Sequence, residues 1–88
     1  MYKKEYVIPC RSGLHARPAS ELVEMTQDFE SEITIVNLEN DEEADAKSII
    51  EVLALEADKG NRITIEADGP DEEEAVEKII ALLDSIEE

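Results

Sequence analysis

The spacing of apolar residues along the chain predicts three helices. In residues 16–29 apolar side chains recur every three or four positions, which places them on one face of a helix. Pro18 fits the first turn of this helix, because a backbone donor is not needed there. Residues 48–57 and the segment that begins after Asp71 show the same period, so all three helices are predicted to be amphipathic.

Four shorter segments have the alternation or the β-branched composition that is typical of strands. The first covers residues 6–8 and ends at Pro9, and the last covers residues 62–67. Between them, residues 33–36 form a predicted strand, and residues 42–46 form a weaker, acidic strand that returns after a turn. The predicted order of elements is therefore β-α-β-β-α-β-α.

Two of the helix starts carry a capping-box sequence, in which a polar residue is followed three residues later by Glu. Ser48 and Glu51 form one such pair, and Asp71 and Glu74 form the other. With the order of elements, these starts predict a two-layer α+β fold in which three helices cover one face of a sheet of about four strands. At 88 residues the chain is expected to form one domain.

The strong negative charge of the chain excludes some classes of partner. It holds 24 Asp and Glu residues against 8 Lys and Arg residues, a formal charge of −16. Nucleic acids and anionic membranes are not expected to bind, since both are recognised by basic surfaces. No apolar run is long enough to span a bilayer, and the only cysteine, Cys10, cannot form an internal disulfide. These features predict a soluble protein of the cytoplasm, and the excess of acid also fits a cell with a salty interior.

One stretch of the chain, residues 6–20, contains no carboxylate, and we call it the acid-free stretch. It carries a formal charge of +2, which leaves −18 on the rest of the molecule. The stretch holds Arg11, Arg17 and the only histidine, His15. Such a contrast is expected where an anion must approach an otherwise repelling surface.

His15 has the sequence surroundings of a nucleophile that accepts a phosphoryl group. It stands just before a predicted helix start, where the backbone amides of Ala16 and Arg17 and the positive end of the helix dipole favour phosphate. The same positive charge favours the neutral imidazole, which is nucleophilic. Arg17 is expected to neutralise charge on the transferring group, and Ser12 to donate a hydrogen bond to the ring or the phosphate.

The residues alone also leave plainer alternatives open. His15 fits a turn or a helix cap, and Arg17 fits an ordinary solvated position on the surface. Neither a metal ion nor a cofactor is expected, because one His and one Cys without paired partners do not make a metal site.

Residues 12–19 read Ser-Gly-Leu-His-Ala-Arg-Pro-Ala. This segment resembles the active-site motif of HPr, the histidine-containing phosphocarrier family of the phosphoenolpyruvate:sugar phosphotransferase system. Residues 46–55, 59–65 and 69–74 also resemble that family, so the resemblance covers essentially the whole chain. It implies the family's open-faced β-sandwich of antiparallel strands, covered on one face by three helices.

The resemblance implies a role for each residue of the motif. His15 would accept a phosphoryl group on Nδ1 from phosphorylated Enzyme I, which is itself charged by phosphoenolpyruvate. It would then pass the group to a sugar-specific component of the transport system. Arg17 would steady the transferred group, and Ser12 would help to hold the loop.

The resemblance also implies roles around the second predicted helix. Ser48 matches a serine that a dedicated kinase phosphorylates in some members, although a capping box is an alternative reason for a serine here. Ile49, Ile50 and Leu53 are candidates for docking partner proteins. Members of the family often carry basic residues in the first helix, whereas this chain has acids in both its first and its second predicted helix. Docking is therefore expected to use apolar contact, Arg17 or a partner of altered charge.

Other functions compete with the sugar relay. The acidic surface suits a specialised paralogue in a nitrogen-regulatory branch or a dihydroxyacetone-kinase relay. A non-catalytic regulatory module is a further alternative, but it leaves the acid-free stretch unexplained. An acyl carrier that uses Ser85 is rejected, because this serine falls in the last turn of a predicted helix rather than at a helix start. By family precedent the protein is expected to be a monomer that docks transiently.

Overall fold

A computed structural model, which describes residues 1–9 and 16–85, confirms the predicted order of elements. The elements are β1 (Tyr2–Val7), α1 (Ala16–Thr26), β2 (Glu32–Asn37), β3 (Glu42–Asp45), α2 (Ile49–Ala54), β4 (Arg62–Asp68) and α3 (Glu72–Ser85). The segments outside the described residues precede α1 and follow α3.

The four strands form one antiparallel sheet in the order β1-β4-β2-β3. The inner strands, β4 and β2, alternate between buried side chains and side chains that are at least partly exposed. The helices cover the buried face and contribute side chains such as Leu22, Val52 and Ile79 to one core. The predicted α+β class, an open-faced β-sandwich, is therefore confirmed.

β1 begins four residues earlier than predicted, at Tyr2 rather than at residue 6. The Lys3-Lys4-Glu5 sequence that precedes Tyr6 has no apolar alternation, so its pattern does not indicate a strand. It nevertheless pairs with β4 along its whole length, up to Val7. Pairing with a neighbouring strand thus overrides the weak local preference of these residues.

Charged and hydroxyl groups also join β1 to α3. Lys4 Nζ lies 2.6 Å from a carboxylate oxygen of Glu77, and the Tyr2 hydroxyl donates to the same oxygen at 2.8 Å. Because both groups donate to this carboxylate, the pKa of Glu77 is lowered. Farther along α3, Asp84 accepts a hydrogen bond from the Tyr6 hydroxyl. β1 is therefore held both by β4 and by the helix that covers it.

Two helices are shorter than predicted. α1 ends at Thr26 rather than Phe29, and the amides that follow donate to carbonyls three residues back, as in the 3.2 Å bond from Phe29 to Thr26. Phe29 is still buried, so the apolar period continues past the end of the helix. α2 ends at Ala54 rather than Ala57, because Glu56 adopts the left-handed conformation with φ of 52°.

Asp71 precedes α3 as predicted, but its carboxylate is used elsewhere, which corrects the predicted capping box. Its two oxygens accept hydrogen bonds from the amides of Glu30 and Ser31, each at 3.0 Å, and from the Ser31 hydroxyl. These amides lie where the chain enters β2 and need an acceptor. Asp71 therefore ties the start of α3 to the start of β2.

The same junction explains a glycine in the turn between β4 and α3. A Cβ atom added at Gly69 would lie 2.6 Å from Cα of Ser31, well inside van der Waals contact. The amide of Gly69 in turn donates to the carboxylate of Glu72 at 3.2 Å. The turn thus approaches β2 so closely that glycine is required.

We expect Asp71→Asn to lower the midpoint of urea denaturation at neutral pH, because a neutral amide accepts these bonds more weakly than a carboxylate does. The Ser31 hydroxyl and the amide of Glu30 hold the pKa of Asp71 below its ordinary value of 3.8. The contribution to stability is therefore present above that value and lost as the pH falls through the lower pKa of the folded protein. The difference in denaturation midpoint between Asp71→Asn and the wild type should therefore become smaller below about pH 4.

Glu73→Gln is the matched control, since it removes one exposed carboxylate from the first turn of the same helix. It should change the denaturation midpoint less than Asp71→Asn at neutral pH. A loss for Asp71→Asn that stays constant through the acid range would contradict the assigned role of the ionised carboxylate.

Candidate functional site

The acid-free stretch is anchored to the core on both sides of the undescribed segment. On one side Ile8 is buried, its amide donates to the carbonyl of Asn61 at 3.0 Å, and its carbonyl accepts from the amide of Gly60 at 2.9 Å. On the other side α1 begins at Ala16, as predicted, and Ala19 in its first turns is buried. Of the predicted site residues, Ser12 and His15 lie outside the described residues.

The first turn of α1 differs from those of the other two described helices. It contains no acid, whereas α2 has Glu51 there and α3 has residues 72–74. The amides of a first helical turn have no carbonyl partner within the helix, and the helix dipole adds positive charge. In a chain of charge −16, the first turn of α1 is therefore free of the carboxylates that would repel an anion.

Arg17 reaches outward from this turn. Its side chain is 85% exposed, and its Nε lies 3.8 Å from a carboxylate oxygen of Glu21 one turn later. An exposed ion pair of this kind contributes only about 0–1 kcal/mol. The contact with Glu21 therefore holds the Arg17 side chain only weakly.

The three docking candidates form an apolar patch on α2. Ile49, Ile50 and Leu53 are 37%, 77% and 41% exposed, and we call them the α2 patch. Within this helix only Val52 is buried. Large apolar side chains grouped on a surface indicate a site of contact with another molecule.

Ser48 caps α2, and half of its predicted capping box is present. The Ser48 hydroxyl accepts a hydrogen bond from the amide of Glu51 at 3.4 Å. The Glu51 carboxylate, however, accepts from the amide of Asp45 at 3.2 Å rather than from Ser48, whose amide donates to the carbonyl of Asp45. The tight turn after β3 places Asp45 within reach, which explains the exchange of partners.

Two buried polar residues near α2 were not among the residues predicted from the sequence. Thr26 and Asn37 are fully buried, and each donates a hydrogen bond to a backbone carbonyl beside α2. A signal for both exists in the sequence: Asn37 continues the inward register of Ile33 and Ile35, and Thr26 lies four residues after Leu22 on the core face. A polar residue at a core position needs a specific partner.

Metal sites and membrane spans have no candidate in residues 1–9 and 16–85. In this part of the chain, no group of three or more His, Cys, Asp or Glu residues is arranged to hold a metal ion. Within the same residues, no helix is both long and apolar enough to cross a membrane.

Comparison with known proteins identifies relatives along the whole chain. The family model described as the PTS HPr component phosphorylation site matches residues 2–85. Phosphocarrier protein HPr of Vibrio cholerae is 40% identical over 86 residues, which cover 98% of this chain and 99% of that protein. Phosphocarrier protein NPr of Escherichia coli K12 is 46% identical over 83 residues, which cover 94% of this chain and 91% of that protein.

A solved structure agrees with these relatives. The crystal structure of HPr-C-His from Thermoanaerobacter tengcongensis has a TM-score of 0.90 and 34% sequence identity, and the match covers 97% of this chain and 93% of that one. The fold and the matches together define a small α+β phosphocarrier of the open-faced sandwich class. The chain belongs to the HPr family of the phosphotransferase system, whose members carry a phosphoryl group.

We expect Ser48→Ala to lower the free energy of unfolding by about 1 kcal/mol, because the amide of Glu51 loses its acceptor. Ser48→Asn is the matched control, since Asn is as good a cap as Ser and adds no charge. Urea denaturation of the three proteins measures the difference. A loss of equal size in both variants would show that the hydroxyl does not act as the cap.

Proposed function

We propose that the protein accepts a phosphoryl group on His15 from phosphorylated Enzyme I and passes it to a sugar-specific component of the phosphotransferase system. The observation that supports this most is the start of α1. A helix begins directly after the only histidine, with no carboxylate in its first turn, in a chain of charge −16. Membership of a phosphocarrier family supports the same chemistry.

In the proposed transfer, Nδ1 of neutral His15 attacks the phosphorus atom of the donor's phosphoryl group. The bond from phosphorus to the donor breaks as the bond to Nδ1 forms, and the reverse exchange delivers the group to the acceptor. Arg17 and the amides of Ala16 and Arg17 offset negative charge on the transferring oxygens. Ser12 holds the loop by a hydrogen bond. In this proposal the protein needs no metal ion or cofactor of its own.

Partner docking is assigned to the α2 patch. Both helices carry exposed acids, Glu51 on α2 itself and Glu24 on α1. We therefore expect partners whose contact surface has an apolar centre with Lys and Arg around it.

A regulatory paralogue in a nitrogen branch is the second candidate function. The 46% identity to NPr, at 94% coverage of this chain, favours it. The chemistry at His15 would be the same, and the acceptor would be a regulatory protein rather than a sugar transporter component. Which acceptor takes the label from the phosphorylated protein decides between the two.

Phosphorylation of Ser48 by a serine kinase is proposed as a further form of control. Ser48 is partly buried, and its hydroxyl accepts from an amide in the first turn of α2. A phosphate there would lie close to Asp45 and Glu51, both exposed acids, and would repel them. We also propose that the protein acts in the cytoplasm, as a single domain and as a monomer that docks transiently.

His15→Ala should abolish labelling when the protein is incubated with phosphoenolpyruvate and the Enzyme I of its own organism. In the wild type the label should be labile in acid and stable in alkali, as phosphohistidine is. Arg17→Glu should slow labelling at least about tenfold, equivalent to about 1.4 kcal/mol, because it reverses the charge next to the transferring group. Equal labelling of wild type and His15→Ala would refute the proposed function.

Transfer from phosphorylated Enzyme I should become slower as salt is added, if the partner surface is basic. Between about 0.01 M and about 1 M salt the Debye length shrinks from about 30 Å to about 3 Å, which removes long-range attraction. The measurement is kcat/KM for labelling at several salt concentrations.

Charge reversal at two positions tests where this attraction acts. Glu24→Lys on α1 should reduce kcat/KM at low salt, and Glu74→Lys in the first turn of α3 is the control for a change of net charge. A kcat/KM that rises with salt would show that the partner repels this chain, contrary to the proposed basic surface.

A further inference from the structure

α2 is too short, and buries too little of its apolar surface, to be stabilised in the way that most helices are. It has six residues, and an isolated helix shorter than about 12 residues is marginal in water. Most helices are stabilised by burying their apolar face, but this one buries only Val52 and turns the α2 patch outward. Contacts at its two ends must therefore fix the position of the patch.

On the N-terminal side, residues 46–47 are attached to the end of α1. The buried Thr26 hydroxyl lies 2.8 Å from the carbonyl oxygens of both Ala46 and Val23 and shares its one proton between them, and Gln27 Nε2 donates to the carbonyl of Lys47 at 3.0 Å. In return, Lys47 Nζ donates to the carbonyl of Phe29 at 2.6 Å. Three side-chain hydrogen bonds thus join the entry to α2 with the exit from α1.

On the C-terminal side, one carbonyl is held by two asparagines from the end of β2 and the turn after it. The carbonyl of Leu55, the C-cap of α2, accepts from Asn37 Nδ2 at 3.0 Å and from Asn40 Nδ2 at 3.1 Å. Asn37 is fully buried, and its other side-chain atom accepts from the amide of Glu39 at 3.0 Å. Its orientation is therefore fixed at both polar atoms.

We propose that Thr26 and Asn37 are positioning residues for partner docking, which hold the α2 patch in its binding geometry relative to α1 and Arg17. The inference rests on the proposed function, because it concerns the docking step of that transfer. Side chains that are already ordered before binding lose less conformational entropy on association. Docking is therefore tighter for the same contact area. Neither side chain needs to touch the partner.

Thr26→Val tests this, because it removes the hydroxyl and keeps the shape of the side chain. We expect KM for labelling by phosphorylated Enzyme I to rise roughly three- to tenfold, the range for loss of one buried hydrogen bond. kcat should stay within about twofold, since the transferring group is not contacted. Thr26→Ser keeps the hydroxyl and should restore most of the wild-type KM.

Ile79→Val is the control for general loss of stability. Ile79 is a fully buried residue of α3, and this change typically costs about as much stability as a lost hydrogen bond. Its KM should stay near the wild-type value. An equal rise in KM for Ile79→Val and Thr26→Val would overturn the proposal, as would a fall in kcat at unchanged KM for Thr26→Val.

Hydrogen exchange gives a readout that needs no phosphoryl transfer. In Thr26→Val the amides of Val52 and Leu55 should exchange faster than in the wild type, while that of Ile65 in β4 should not. Asn40→Ala, which removes one of the two donors to Leu55 from an exposed position, should act in the same direction without endangering folding. Unchanged exchange in both variants would overturn the positioning role even if the wild type is labelled. Failure of the wild type to be labelled on His15 would overturn the proposed function and the docking step that depends on it, while exchange would still show whether these side chains hold α2.

Discussion

The position of β4 between β1 and β2 is the constraint on which the rest of the structure depends. This strand pairs with β1 along one edge and with β2 along the other, so strands from the first, middle and last thirds of the chain share one hydrogen-bonded sheet. Its inward residues Ile63 and Ile65 lie in the core under the helices. Because Ile8 continues the pairing as far as Gly60, β4 also fixes where the chain leaves the sheet toward α1.

Buried polar side chains act at the joints of this small core. Among the described residues the fully buried polar side chains are Thr26, Ser31 and Asn37. Ser31 donates to Asp71 and links β2 to α3, whereas the other two hold the ends of α2. Contacts between aliphatic side chains stabilise the core but depend little on orientation. Buried hydrogen bonds depend strongly on orientation and so add a specific geometry. The relative positions of the elements are therefore set by a few residues that the apolar pattern does not reveal.

The sequence is sufficient for the class of fold and for the order of its elements, because apolar periods of two and 3.6 residues report burial directly. It is insufficient where a long-range partner decides the outcome. The polar residues 3–5 form a strand only because β4 is beside them, and Asp71 turns from its helix toward the amides near Ser31. For the site, Arg17 and the α2 patch are exposed, their expected roles stay predictions, and His15 lies outside the described residues.

In the proposed function, α1 is the element that relates chemistry to docking. Its first turn carries the exposed Arg17, and its end, with Thr26 and the following Gln27, holds the segment that leads into α2. Eleven helical residues span about 16 Å, which separates the two ends of α1. In the proposed function, affinity comes from the patch and transfer from the acid-free end of α1. That proposal allows a strongly acidic carrier to change its partners through the surface of α2 while the residues around the histidine stay the same.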